Sequence, residues 1–199
     1  MSKKKARIVC PIFETSKYPY HGLGVKVGDP SAVTYKFYAS KHFAVVVDFG
    51  SAASGLYYKY HKDNLIRYAK TDTLSGDQSV DYIGHTVTKE WVGEIKLLYQ
   101  HDASGLVEGL QWYIGAGWQA RKLDISYEYL REAGLNESLI EKFNVSAFTM
   151  GPTATIGLEY AYYDLPISTF MEIELYSDAM EDAGWMRFQG GAGIRYIFN

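Results

Sequence analysis

The sequence predicts an all-β fold, in which eight antiparallel strands close an up-and-down β-barrel. Three observations point to it. Apolar and polar residues alternate with a period of two from residue 20 onward, as in a strand whose successive side chains face opposite ways. The alternation falls into eight segments, each near the ~9–11 residues that a tilted membrane-crossing strand needs. The links between segments are sorted by length, with short ones at one rim and two long ones at the other.

In chain order, Leu23, Val25 and Val27 alternate with Gly22, Gly24, Lys26 and Gly28. Val33, Tyr35 and Phe37 alternate with Thr34 and Lys36. Phe43, Val45, Val47 and Phe49 alternate with Ala44, Val46 and Asp48. In the fourth segment Trp91, Ile95, Leu97 and Tyr99 alternate with Glu94, Lys96 and Gln100. The fifth is the most regular: Trp112, Ile114, Ala116, Trp118 and Ala120 share one parity, while Gln111, Tyr113, Gly115, Gly117, Gln119 and Arg121 share the other. A helix, with about 3.6 residues per turn, would mix these sets on every face. The sixth carries Ala154, Ile156, Leu158, Tyr160 and Tyr162 against Thr153, Thr155, Gly157, Glu159 and Ala161. The seventh sets Ile167, Met171, Ile173 and Leu175 against Ser168, Phe170, Glu172 and Glu174. The eighth sets Phe188, Ala192, Ile194, Tyr196 and Phe198 against Gln189, Gly191, Gly193 and Arg195. Short links follow at residues 39–42, 102–109 and 164–166. Long loops are expected at roughly 51–90 and 122–150, with Asp29-Pro30 and 177–185 as the remaining connections.

Alternation alone does not say which face meets solvent, because a soluble ligand-binding barrel has the same period with the opposite sense. Three features point the apolar parity at lipid. The polar parity is rich in glycine, which makes room for long neighbours inside a narrow lumen. Its charges balance, with Lys26, Lys36, Lys96, Arg121 and Arg195 against Asp48, Glu94, Glu159, Glu172 and Glu174. Buried charges have to be paired. Aromatic residues also gather at the strand ends, as rings in the interfacial girdles of a membrane barrel do. Phe37, Phe43, Tyr99, Trp112, Tyr162, Tyr196 and Phe198 are expected at the short-turn rim. Phe49, Trp91, Trp118 and Phe188 are expected toward the long-loop rim. The expectation is an eight-stranded transmembrane β-barrel spanning residues 20–199 with two long loops at one rim. Residues 1–19 are read as an N-terminal segment, processed or rebuilt.

The stretches Gly22–Phe37 (GLGVKVGDPSAVTYKF), Gly109–Gly117 (GLQWYIGAG), Thr155–Pro166 (TIGLEYAYYDLP) and Gly190–Phe198 (GGAGIRYIF) carry a resemblance. They resemble the small eight-stranded outer-membrane β-barrel proteins of Gram-negative bacteria, of the OmpA/OmpX type. The resemblance implies location in the bacterial outer membrane. It also implies contact with the lipid bilayer and lipopolysaccharide, handling by the barrel-assembly machinery, and a monomer. Tyr196 and Phe198 fit the aromatic closing strand of that family, and Asn199 departs from it.

Composition narrows the remaining classes. The chain has a formal net charge of -3 and a pI near 6.0, which argues against nucleic acid as a partner. No run of about 18 apolar residues provides a spanning helix. The basic run Lys3-Lys4-Lys5 has no apolar region after it, so no export signal is visible. Cys10 is the single cysteine, which rules out an internal disulfide and a cysteine-based zinc cluster.

Chemistry is sparse. Some relatives of such barrels trim or acylate lipid A with a histidine paired to a serine or aspartate. Here His61 and His85, with Asp63, Ser79 and Asp81, are the candidates in the first long loop, and His101-Asp102 falls at the opposite rim. Asp77, Asp81 and His85 share that loop without the spacing of a calcium motif. Asn136–Phe143 (NESLIEKF) reads as a short helix capped by Asn136. The loop tyrosines Tyr57, Tyr58, Tyr60, Tyr68 and Tyr82 offer contact surface. The expectation is a non-enzymatic barrel with no cofactor, no metal and no catalytic residue. Its closed, charge-paired lumen would leave a structural or surface-interaction role to the loops. Its rivals are a lipid A-modifying acyltransferase or deacylase on the same barrel and a soluble barrel binding a small apolar ligand.

Overall fold

A computed structural model of the chain describes residues 18–52, 80–132, 138–162 and 165–199. Eight antiparallel strands form one closed ring in sequence order. They are β1 (Tyr20–Asp29), β2 (Ser31–Tyr38), β3 (Phe43–Ser51), β4 (Val80–Asp102), β5 (Leu110–Glu132), β6 (Ser138–Ala161), β7 (Ile167–Ser177) and β8 (Met186–Phe198). Closure comes from β1 against β8, running from His21 opposite Phe198 to Asp29 opposite Gly190. The short connections are held by local hydrogen bonds. Ser40 Oγ accepts from the amides of His42 and Phe43. The Asp178 carboxylate accepts from Met180 and Asp182 in the β7–β8 turn, where Gly184 takes φ of 93°. Gly109, with φ of 85°, leads into β5.

One face of every strand points into the lumen. Its glycines stand where rings cross the interior, since a Cβ on Gly157 would strike the ring of Tyr113 and one on Gly193 the ring of Phe170. Eight strands enclose only enough space for side chains, and these rings take much of it.

Three strands are longer than the alternation suggests. Residues 80–90 belong to β4, and residues 122–132 and 138–150 to β5 and β6. The two expected long loops are therefore shortened, and most of the second is a paired hairpin running up to Glu132 opposite Ser138. At roughly 3.3 Å per residue, the β5 arm reaches ~30 Å beyond the ring along its own axis. The short helix expected at Asn136–Phe143 is likewise corrected. Residues 138–143 lie in β6, with Leu139 opposite Arg131 and Ile140 opposite Leu130, so ladder pairing with β5 overrides local helix preference.

The polarity of the strand faces inverts where the arms leave the ring. On β5 the outward residues run Trp112, Ile114, Ala116, Trp118, Ala120 and then Lys122, Asp124, Ser126, Glu128. The inward residues run Gln119, Arg121 and then Leu123, Ile125, Tyr127, Tyr129, all buried. Leu123, Ile125 and Tyr127 join Ala52, Val92 and Ala147 in a second apolar core, with Tyr82, Val87, Phe143 and Val145 packed against it. The arms are thus built like a water-soluble sheet, with apolar side chains inside. A bulge between Val87 and Lys89 adjusts the β4 register at this point.

His85 packs against this core through Tyr82 and Tyr127. Its Nδ1 lies 2.6 Å from the Tyr82 hydroxyl, and its ring centroid is 5.8 Å from that of Tyr127. Burial holds the imidazole below its ordinary pKa. The unfolded arm therefore takes up a proton at a pH where the folded arm does not, so arm stability is lost as pH falls through the ordinary histidine range. Amide hydrogen exchange at residues 82–87 and 123–129, corrected for intrinsic rates, is expected to be faster at about pH 5 than at about pH 7.5. His85→Gln is expected to remove the difference.

Candidate functional site

All ten charged residues expected in the lumen are buried there. They form a column along the barrel axis, carried by strands far apart in sequence. At the short-turn end Glu159 is the node. Lys36 Nζ lies 2.5 Å from its Oε2, while Tyr38 and Ser168 donate hydroxyl hydrogen bonds to its Oε1 at 2.6 and 2.7 Å. Arg195 approaches the same carboxylate at 3.5 Å, donates to Thr34 at 3.1 Å and lies over the Phe170 ring at 3.5 Å.

At mid-height Lys26 and Lys96 share three carboxylates. Lys26 meets Asp48 at 3.0 Å and Glu172 at 2.9 Å. Lys96 meets Asp48 at 2.9 Å, Glu172 at 2.8 Å and Glu174 at 2.5 Å. Asp48, Glu172 and Glu174 bring oxygens within 4.8 Å of one another, a spacing that suits a cation. The two ammonium groups already supply that positive charge. Tyr113 donates from its hydroxyl to Glu172 at 3.1 Å, which ties this layer to the one below. Thr153 holds Glu94 at 2.8 Å.

Nearer the arms the chain of contacts runs from Glu174 through Gln189 to Arg187 and Gln119, and Arg121 pairs with Asp29 at 3.1 Å. Asp29 and Arg187 are lumen charges that the sequence reading missed. Asp29 was assigned to a turn, and Arg187 continues the inward parity of Gln189 by one more step. Each addition balances the other, and with Asp178, buried where β7 enters its turn, the described residues bury six cationic and seven acidic side chains. Tyr38, Tyr113, Phe170 and Tyr176 fill the space between them.

The outward face is the reverse. Leu23, Val25, Val27, Val33, Val47, Ile95, Leu97, Ile114, Ile156, Met171, Ile173 and Ile194 all lie exposed on it. All eleven expected girdle aromatics point outward; Phe37 is half-buried beneath His21, at 5.3 Å between ring centroids. Three histidines extend the short-turn girdle. His21 stacks on Phe198 at 5.5 Å, His42 on Tyr99 at 5.9 Å and His101 on Trp112 at 5.7 Å. Sequence reasoning places His101 at the short-turn rim without counting it in the girdle, although it continues the outward parity of Tyr99. From Trp112 to Lys122 is ten residue steps, or about 33 Å along the strand. At a tilt of about 40° this gives an apolar belt ~25 Å tall, the height of the lipid-facing band of membrane barrels.

Among the hydrolase candidates, His61, Asp63 and Ser79 lie outside the described residues, as does Asp77 of the metal candidates. His85 and Asp81 lie on the β4 arm, and His101-Asp102 ends β4 at the short-turn rim. The loop tyrosines Tyr57, Tyr58, Tyr60 and Tyr68 also lie outside the described residues, as do Cys10 and the rest of the N-terminal segment to residue 17.

A closed ring with paired charges inside and a continuous apolar belt outside defines an integral membrane β-barrel, since such a belt has no place in water. No protein-family profile matches the chain, and no curated sequence matches it. Among solved structures it is similar to the N-terminal β-barrel domain of Pseudomonas aeruginosa OprF, with 9% identity, 90% of this chain and 96% of that one covered, and a TM-score of 0.46. It is similar to Acinetobacter baumannii CarO2, at 12% identity, 92% and 100% coverage, and a TM-score of 0.40. It is also similar to Yersinia pestis Ail, the attachment invasion locus protein, at 6% identity, 92% and 100% coverage, and a TM-score of 0.35.

The short-turn and mid-height layers of the lumen column differ in redundancy. Glu159→Gln strips Lys36 and Arg195 of their shared carboxylate and is expected to destabilise the barrel by about 3–5 kcal/mol. Glu174→Gln leaves both lysines with Asp48 and Glu172, and is expected to cost less than about 2 kcal/mol. Reversible urea unfolding in lipid vesicles, followed by tryptophan fluorescence, measures both.

Proposed function

We propose that the chain is a non-enzymatic β-barrel of the bacterial outer membrane. Its closed lumen serves stability, and its β4–β6 arms form a surface element outside the membrane, available for envelope contacts. The observation that carries this reading is the inversion on β5, where apolar residues face outward up to Ala120 and inward from Leu123. One strand passes from hydrocarbon into water at that point, so the arms stand clear of the bilayer. The sorting of short turns to one rim and arms to the other gives the barrel the asymmetry of outer-membrane proteins, whose longer segments face outward from the cell. A soluble ligand-binding barrel calls for the opposite arrangement, an apolar interior under a polar surface.

The lumen column supports a barrel without a diffusion path. The rings of Tyr20, Tyr38, Tyr113, Phe170 and Tyr176 and the paired charged side chains fill the interior among the described residues, in a barrel size that encloses little more than side chains.

Single-tryptophan variants reconstituted with chain-brominated phospholipid test the orientation. Trp112 and Trp118 are expected to be strongly quenched, and Trp185, in the β7–β8 turn, only weakly. Unquenched Trp112 and Trp118 in an inserted sample would turn the barrel inside out. Planar-bilayer recordings of the same protein are expected to show no stable conductance of porin size.

A further inference from the structure

We infer that His42 and His101, side by side at the short-turn rim, bind a late first-row divalent metal ion such as Cu²⁺ through their Nε2 atoms, with water completing its coordination. The two residues are far apart in sequence, and the fold brings them together. His42 closes the β2–β3 turn, where Gln100 donates its amide to the His42 carbonyl at 2.8 Å. His101 follows Gln100 on β4. Both side chains are exposed, and their ring centroids lie 6.3 Å apart.

Each ring is held in the tautomer that a metal ligand needs. His42 Nδ1 lies 3.3 Å from the Gln100 carbonyl oxygen, and His101 Nδ1 lies 3.0 Å from the Asp102 carbonyl oxygen. A carbonyl oxygen only accepts, so Nδ1 carries the proton, and in the neutral ring Nε2 carries the lone pair. Metal-binding histidines are oriented in this way, by a hydrogen bond from the nitrogen that does not meet the ion. Among the described residues neither Nε2 has a hydrogen-bond partner. His21 and His85 differ, because Nδ1 of each faces a tyrosine hydroxyl, which can give or take the proton. Tyr99 stacks on His42 and Trp112 on His101, which steadies both rings at the rim.

With metal–nitrogen bonds of about 2.0–2.1 Å, two imidazoles on one ion stand roughly 5.2 Å apart between centroids in a tetrahedral arrangement, and roughly 6.4 Å apart when opposite each other. The observed separation of 6.3 Å falls at the wide end of that span, so small rotations of two exposed rings reach it. Imidazole nitrogen suits copper, nickel and zinc, whereas calcium and magnesium call for oxygen ligands. Among the described residues the one group of three metal-ligating side chains is the lumen trio Asp48, Glu172 and Glu174. The histidine pair therefore offers two protein ligands, and its ion keeps open positions and exchanges readily. Binding ties the β2–β3 turn to the end of β4 and stabilises the folded barrel as the site fills. The placement of this rim on the periplasmic side rests on the outer-membrane reading, whereas the pairing of the two rings does not.

The test uses the full chain, folded in detergent micelles and titrated with Cu²⁺ near neutral pH. Electron paramagnetic resonance counts the nitrogen ligands of the first equivalent bound. Wild-type protein is expected to show two. His42→Gln and His101→Gln are each expected to show at most one and to bind at least roughly tenfold more weakly, the least that losing even an outer partner of a metal site costs. His21→Gln, His61→Gln and His85→Gln are expected to keep the wild-type spectrum. A wild-type chain that takes up no stoichiometric Cu²⁺ would overturn the inference, and so would a two-nitrogen spectrum that survives either substitution. Should a variant fail to fold, diethyl pyrocarbonate labelling of the wild-type chain decides the matter. Bound Cu²⁺ is expected to protect His42 and His101 from modification, and labelling of both at the metal-free rate would sink the site. Folding and vesicle insertion are followed in parallel by the mobility difference between boiled and unboiled samples. A chain that binds Cu²⁺ at this pair but never inserts would overturn the outer-membrane reading, whereas an inserted chain that binds none would overturn the metal site alone.

Discussion

Hydrocarbon offers no hydrogen bonds, and the rest of the structure follows from that constraint. Every backbone amide and carbonyl in the belt has to find its partner within the protein, so the sheet closes, with β1 against β8. Closure at eight strands creates an interior too narrow for bulk water, which places a second demand on the side chains pointing inward. Ionised groups there are tolerable only as mutual partners. Lys36, Arg195 and Glu159 meet this demand as a compact node, and Lys26 and Lys96 meet it by sharing carboxylates. Glycine completes the arrangement by yielding space to the rings of Tyr113 and Phe170.

The arms obey the same physical chemistry under a different solvent. Once β5 passes Arg121, water surrounds its outer face, and the distribution of side chains reverts to that of an ordinary protein. Leu123, Ile125 and Tyr127 turn inward to form a core, and Asp124, Ser126 and Glu128 turn outward. One continuous ladder with β6 carries both regimes, so the arms inherit their placement from the barrel rather than from a flexible tether.

The ring was legible in the sequence because within the belt each parity has one chemical character, and residues 111–121 show it without interruption. The lumen residues were legible for the same reason, since charge on the glycine-rich parity has nowhere else to go. The arms were not. At residues 122–129 the strand continues but its apolar parity switches, so a reader following one parity sees the pattern end and infers a loop. The segment 138–143 was misread for a different reason. Asn136 and the charges after it match a helix start locally, while the ladder to β5 that makes it a strand is a tertiary fact. Asp29 escaped because a residue beside Pro30 reads as a turn, although its side chain reaches Arg121 across the lumen. The short-turn histidines escaped because they sit where strand and link merge.

The ion pairs of the lumen join residues remote along the chain. Lys26 meets Glu172, Lys36 meets Glu159, and Arg195 reaches back to Thr34. Strand β2 therefore brings in Lys36, whose carboxylate arrives only with β6, and strand β1 brings in Lys26, whose partner Asp48 on β3 is joined by Glu172 only with β7. A partly assembled sheet of early strands lying open in lipid would expose Lys36 bare to the acyl chains. Biogenesis is thereby pushed toward an all-together route, in which the late strands are docked before the early ones surrender their hydration. The protein's own interior works as a checkpoint that penalises premature entry.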